Sequence, residues 1–429
     1  MRRKKDEIIL GKRQRRSWRE GRQSWFALYA LVTSVAWALV GERRAAIVVS
    51  AGGLALLCLP SVRTRVVAFI RANRNRRETQ LALLQAMGSK APFFMEGKAS
   101  AVGAELVVSV YPGGKREDIE SAASSIAAAM HAQVVRVRPV KKDASLASLV
   151  VVWRDSLEQS AGIDDFLAVL PRTSLHHPLP IGYDEDGAVV SVPLFGHHLL
   201  IGGEPGSGKS VTLSVLLAGA AFDPTVELWL FDGKLVELSL WEPIASRFLG
   251  NDLAAATAAL EELQKEMDDR YELLKARKAR NVEPGDGFRL VLVVVDELAY
   301  YVAHHDKKGA QAFTEALRDV VGRGRAAGII VVAATQKPSA DIVPTPLRDN
   351  FSFRLAHRCS TRDASDTILG TGWATKDFSA DSIDSAQRGI GYLLAEGGVP
   401  RRMRTFHLTD FDVISIVRHG DALRRGELR

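Results

Sequence analysis

Between residues 181 and 410, five short apolar runs separate stretches of helical period: HHLLIGG at 197–203, VELWLFD at 226–232, RLVLVVVDE at 289–297, GIIVVAATQ at 328–336 and GIGYLLAEGG at 389–398. Successive side chains of a strand point to opposite faces, so a run apolar at both parities must be covered on both sides. The pattern predicts an α/β domain with a parallel sheet flanked by helices. A smaller pattern precedes it. Strand-like Glu105–Tyr111 leads into REDIESAASSIAAAMHA, where Ile119, Ala122, Ala123 and Ile126 fall at helical spacing and predict one helix over Arg116–Met130; strands Val134–Arg138 and Leu146–Trp153 follow. This reads as a small βαββ module, divided from the larger domain by the proline-rich PRTSLHHPLP at 171–180.

Nearer the amino terminus, Ser24–Val40 and Ala45–Val62 are charge-free apolar runs separated by Gly41-Glu42-Arg43-Arg44. As helices they would be roughly 25 to 27 Å long, close to the ~30 Å of a bilayer's hydrocarbon layer, with Trp25, Arg43 and Arg44 at the interface. They predict a two-helix transmembrane hairpin over 23–62; the other readings are a buried core hairpin or a signal peptide. Charge favours the first. Residues 1–22 hold ten basic and three acidic side chains, residues 23–62 carry a net +1 and residues 63–77 hold six arginines and no acid, so within a net charge of +7 the remainder, 78–429, sums to −7. Positive flanks place both ends and the large domain on the cytoplasmic side of a membrane. The basic balance is therefore no argument for a nucleic-acid surface elsewhere, and any such surface must be local. The expected layout is a basic tail (1–22), the hairpin (23–62), a basic helical connector (63–99), the small module (100–170), the large domain (171–410) and a carboxy-terminal tail (411–429). With 47% hydrophobic and 25% charged residues the chain is globular, and Cys58 and Cys359, its only cysteines, exclude a disulfide framework or a cysteine-based zinc cluster.

The chemistry lies at the ends of the apolar runs. Leu199-Leu200-Ile201 leads into Gly203-Glu204-Pro205-Gly206-Ser207-Gly208-Lys209-Ser210, then Val211 and a helical stretch. This is a complete phosphate loop in its strand–loop–helix setting: glycines let main-chain amides approach phosphate oxygens, Lys209 supplies positive charge, and the Ser210 hydroxyl is placed for Mg²⁺. Asp296 and Glu297 end the run at 289–297, where Asp296 would hold the metal and Glu297 would orient and deprotonate water. Two carboxylates at the end of a buried strand are costly as mere structure. Gln336, with Thr335, ends the next run and is either a plain strand-end polar pair or a sensor of the γ-phosphate. Arg323 and Arg325, just ahead of that run, are either solvated helix-end arginines or a finger reaching a neighbour's nucleotide. These parts predict a P-loop ATPase using ATP and Mg²⁺.

HHLLIGGEPGSGKS, LWLFDGKLVELSLW, EMDDRYELL, VLVVVDELA, GRGRAAGIIVVAATQKPSADIVPTPLRDNFSFRLAHRCSTRDASDTILG and GIGYLLAEGG, in this order over residues 100 to 410, resemble the FtsK/SpoIIIE family of membrane-anchored DNA translocases. The resemblance implies a RecA-like core, homo-hexameric rings with ATP at subunit seams, and double-stranded DNA in the central channel. The compact layout is similar to FtsK-like transfer proteins of actinobacterial plasmids and integrative conjugative elements, and departs from segregating members with four membrane helices, a long linker and a carboxy-terminal DNA reader. Asp232, Lys234 and Glu237 match the family's DGK-x-VEL segment and imply an interface or nucleotide-adjacent role. Lys307, Lys308, Lys337 and Arg348 follow the two catalytic strands and are either solvated charges or contacts to the DNA backbone. The competing functions are the ATPase of a type VII-like protein secretion system and a nucleotide-binding membrane scaffold.

Overall fold

The computed structural model describes residues 77–99, 103–140, 143–153, 155–170 and 174–428. The transmembrane hairpin expected at 23–62 lies outside these residues, and no helix among the described residues is long and apolar enough to cross a membrane. The chain divides into two compact units, of which the second takes in 148–429 and carries the large sheet.

The smaller sheet has four strands in the order β1-β2-β4-β3: β1 (Phe93–Ala99), β2 (Gly103–Ser109), β3 (Val134–Pro139) and β4 (Leu146–Val152). Strand β1 was expected to belong to a helical connector, although residues 77–87 of that segment are helical. The module is therefore ββαββ. Its helix is broken at Ala122 into α1 (Arg116–Ser121) and α2 (Ala123–Ala129), with Ile119 and Ile126 fully buried as their spacing requires.

After α3 (Ile163–Val169) the larger domain builds a ten-stranded sheet, ordered β6-β5-β14-β13-β12-β7-β11-β10-β8-β9. Its strands are β5 (Leu179–Asp184), β6 (Val189–Val192), β7 (Leu199–Gly202), β8 (Val226–Phe231), β9 (Arg247–Leu249), β10 (Leu290–Val295), β11 (Ile329–Thr335), β12 (Phe353–His357), β13 (Ile390–Leu394) and β14 (Arg401–Thr405). The expectation of a parallel sheet holds for β12-β7-β11-β10-β8-β9. It fails for β13, β14, β5 and β6, which run antiparallel to their neighbours and make the sheet mixed.

Alternation explains the apolar runs. Leu290, Leu292, Val294, Ile330 and Val332 enter one core, with α4 (Lys209–Ala221) and α10 (Asp410–Arg424). Val291, Val293, Val295, Ile329 and Val331 enter the other, with α5 (Leu253–Arg277), α7 (Lys307–Arg323) and α9 (Arg362–Leu369). Polar caps start these helices: the Asp252 carboxylate accepts the amides of Ala254 and Ala255 ahead of α5, and Asp306 those of Lys308 and Gly309 ahead of α7. Short α6 (Leu298–Val302) and α8 (Thr345–Arg348) complete the domain. The stretch read as a tail at 411–429 is largely helix α10. A capping box of Thr409 and Asp412 starts it, and Val413, Ile416 and Val417 are buried in the first core.

Candidate active site

β7 ends at Gly202, and α4 starts at Lys209. The turn between them needs glycine at three positions: φ is 152° at Gly203, 73° at Gly206 and 124° at Gly208. A methyl group at Gly203 would sit 2.7 Å from Ser207 Oγ and 2.9 Å from His357 Cβ, and one at Gly208 only 2.6 Å from Gly389 Cα. The loop is thus pressed against the ends of β12 and β13. Arg358 pairs with Glu204 at 2.6 Å and holds its outer side.

Beneath the loop is a buried chain of polar groups. His357 Nδ1 lies 2.9 Å from Ile390 O, and Nε2 2.8 Å from Thr212 Oγ1, which is 3.0 Å from Thr405 Oγ1. A carbonyl only accepts, so Nδ1 carries the proton and Nε2 accepts from Thr212. Burial pushes the imidazole down to about 4, so it stays neutral and ties the first turn of α4 to β12, β13 and β14.

Lys209 is buried, and its Nζ donates to the carbonyls of Gly203 and Glu204, both at 2.7 Å. Burial lowers its pKa to about 8, which leaves the ammonium charged at neutral pH. A cleft of about 460 Å³ lies over the loop, lined by Lys209, Ser210, Val211, Glu237 and Gln336 among others.

The two acids follow β10 and differ in their surroundings. Glu297 is held by donors: its Oε1 accepts from Thr335 Oγ1 (3.0 Å) and the amides of Gln336 (3.2 Å) and Ala299 (3.3 Å), and its Oε2 accepts from the Gln336 amide at 3.1 Å. Lys234 Nζ stands 3.7 Å from Oε2. The carboxylate is oriented from β11 on one side and from the 232–238 turn on the other. That turn is itself pinned by Asp232, whose carboxylate accepts the amides of Lys234 and Leu238. Asp296 has no such support. Its Oδ2 is buried without a hydrogen-bond partner, and burial, then Glu237 and Asp232, pushes the carboxyl up to about 7. An orphaned carboxylate oxygen close to like charges suits a cation, so the site fits Mg²⁺ held by Asp296 and the Ser210 hydroxyl.

The sequence of this site has relatives. Residues 176–290 match the FtsK/SpoIIIE family, including the phosphate loop and the Asp232–Glu237 turn. This stretch is similar to the FtsK/SpoIIIE family. A DNA translocase FtsK of Staphylococcus aureus is 31% identical over 217 residues, covering 46% of this chain and 27% of that protein, so the chain spans about a quarter of the length of the curated relatives it matches. Among solved structures, the pCW3 conjugation coupling protein TcpA, in its monomer form with ATPγS, superposes with a TM-score of 0.53 at 17% identity, covering 81% of this chain and 99% of that one. The cytoplasmic domain of the type VII secretion ATPase EccC from Thermomonospora curvata gives 0.51 at 21% identity, covering 61% and 34%. These two likenesses describe the fold alone.

The matched stretch ends at 290, and with Asp296 and Glu297 just beyond it the phosphate loop, the buried lysine and the two acids make up the residue set of a nucleotide-hydrolysing site. The structure brings together Lys209, Ser210, Asp296, Glu297 and Gln336, and adds Lys234 and Glu237. Arg323 and Arg325 lie at the opposite end of the sheet. Arg323 is engaged by Asp319 and Asp268, which raise its pKa, and Arg325 Nε donates to Gly196 O at 2.7 Å, ahead of β7. Neither reaches the cleft of its own chain. Of the DNA candidates, Lys307, Lys308 and Lys337 are exposed, whereas the Arg348 side chain is only 13% exposed and pairs with Asp349 at 3.3 Å. Sequence reasoning missed Arg388 and Arg404, which also line the cleft. They come from β14 and the turn before β13, more than 170 residues from the loop, so no spacing marks them.

Proposed function

We propose that this protein is an ATP-driven motor that translocates double-stranded DNA. It works as a ring of six copies, held at the inner face of a bacterial plasma membrane by the apolar runs at 23–62, in DNA transfer of the conjugative type or in segregation. One observation carries the reading: a donor-held base, an unpartnered metal carboxylate and a buried phosphate-loop lysine stand together in a domain whose relatives in sequence are DNA translocases. In this reading the loop and Lys209 bind the β- and γ-phosphates of ATP. Ser210 and Asp296 would hold Mg²⁺, which supplies charge neutralisation on the phosphates when bound. Glu297, its plane fixed by Thr335 and Gln336, orients the attacking water and accepts its proton. Gln336 registers the γ-phosphate. Arg325 or Arg323 acts on the nucleotide of the adjacent copy, and Lys307, Lys308, Lys337 and Arg348 track phosphates of the duplex.

The test is ATP turnover by the full chain with and without duplex DNA across a salt series. Duplex should stimulate turnover and bind with an affinity that falls as salt rises. Absence of both effects would transfer the site to the secretion-type reading, and absence of any turnover would leave a nucleotide-binding scaffold.

A further inference from the structure

The phosphate loop accounts for only part of the cleft. Another part of the lining comes from segments far apart in the chain: Ser160, the turn at 386–389 and the end of β14 at 404–407. Arg404 joins these three. Its Nη1 donates to Leu157 O at 2.6 Å and Glu158 O at 2.8 Å, and its Nε donates to Arg388 O at 3.1 Å. Bonds from Nη1 and Nε fix the plane of the guanidinium and leave its faces and its Nη2 edge as the surface it can offer. Arg404 also stands close to the loop. The Gly389 amide donates to Ser207 O at 2.9 Å, the Thr405 amide donates to Gly389 O at 3.0 Å, and Thr405 Oγ1 lies 3.0 Å from Thr212 Oγ1 in the first turn of α4. The Arg404 stem passes Gly389 at van der Waals distance, 3.8 Å from where a Cβ would be, and Gly389 itself has no side chain to fill the space.

The flat cation of Arg404, held by three carbonyls, thus lines the same cleft as the phosphate loop and sits one residue from Thr405, which touches the phosphate-binding helix. We infer that Arg404 is the base-stacking residue of this cleft: its guanidinium, clamped by the carbonyls of Leu157, Glu158 and Arg388, packs face to face on the ring of a purine nucleoside triphosphate. The inference rests on the reading of the cleft as an ATP site. Arginine stacks on aromatic rings in a way lysine cannot, and a two-ring base offers more area than a one-ring base.

The experiment measures binding of ATP, CTP and inorganic tripolyphosphate to the full chain by calorimetry, for the wild type, Arg404→Lys and Lys209→Ala. Arg404→Lys should weaken ATP by ~10-fold and CTP by less, leaving tripolyphosphate within about twofold. Lys209→Ala should weaken all three. Retained tripolyphosphate binding certifies that the loop of the Arg404→Lys protein is folded. If Arg404→Lys binds ATP as the wild type does, or loses ATP and tripolyphosphate together, Arg404 is only a clamp and the inference is overturned. A wild type that binds neither ATP nor tripolyphosphate overturns the nucleotide reading itself, and this inference with it.

Discussion

Replacing Glu297 with glutamine separates the proton-accepting role of this side chain from its place in the fold. Glutamine keeps one acceptor oxygen, enough for the Thr335 hydroxyl and the amides of Ala299 and Gln336 that meet Oε1. What changes is Oε2, where an NH₂ group would face the Gln336 amide at 3.1 Å and the Lys234 ammonium at 3.7 Å, donor against donor. That mismatch should cost about 1–2 kcal/mol of stability and turn the side chain slightly. The chemical loss is larger, because a neutral amide takes no proton from water: removal of a general base lowers turnover by ~10²–10⁴, or roughly 3–5 kcal/mol of barrier. In the proposed site ATP would contact the loop and Lys209, which Glu297 does not touch, so affinity should stay within about threefold. Phosphate release at saturating ATP, measured beside equilibrium binding of labelled ATP, checks both halves. Turnover within about twofold of the wild type would refute the assignment of the base. Parallel loss of binding and melting temperature would show that Glu297 serves only as the cap of α6.

Three further outcomes follow from the geometry. Gly208→Ala would drive a methyl group into Gly389 Cα and N at 2.6 and 2.7 Å, at a backbone φ of 124°; a loss of roughly 2–4 kcal/mol in urea unfolding and of ATP binding is expected, and an unchanged midpoint would contradict the packing of the loop. The Asp296 carboxyl titrates near 7 in the fold against 3.8 as its ordinary value, so between those values the unfolded chain binds fewer protons and stability of the metal-free domain falls as pH rises, levelling off above about 7. Asp296→Asn should therefore stabilise by roughly 2–4 kcal/mol at pH ~8 and little at pH ~4, and a pH-independent difference would be inconsistent with that environment. Truncation after Thr409 would uncover the core that Val413, Ile416 and Val417 close, at a cost of roughly 4–8 kcal/mol; a truncated chain that melts at the wild-type temperature would show α10 to be dispensable.

The central strands were legible because both parities of each run are apolar, and the phosphate loop and acids because their chemistry requires fixed neighbours. Strand direction was not legible: periodicity in GIGYLLAEGG reports two buried faces but not which way the chain runs, and the return at Gly397-Gly398 makes β13 and β14 an antiparallel pair. β14 itself, RRMRT, buries only Met403 and Thr405 and leaves its arginines to ion pairs and carbonyls, so it has no apolar signature. Strand β5 was obscured by Pro180, beside which its pairing with β6 slips. Helix α10 did carry a signal, with Val413, Ile416 and Val417 at helical spacing behind a threonine cap. Lys234 could be suspected only from its segment, since its approach to Glu297 depends on a turn folded around the buried Asp232. Arg388 and Arg404 had no local signal, because their position is created by the order of strands.

That order also limits how the molecule can use a cleaved phosphate. β11 is laddered on both sides, to β10 from Val291↔Ile329 through Val295↔Ala333 and to β7 from Val332↔Leu199 through Thr335↔Gly202. Sliding it by one residue would break both ladders and reverse every side chain between the two cores. The sheet is therefore a fixed chassis, and a displacement within the domain falls to the segments beyond its carboxyl edge, which no ladder holds in register.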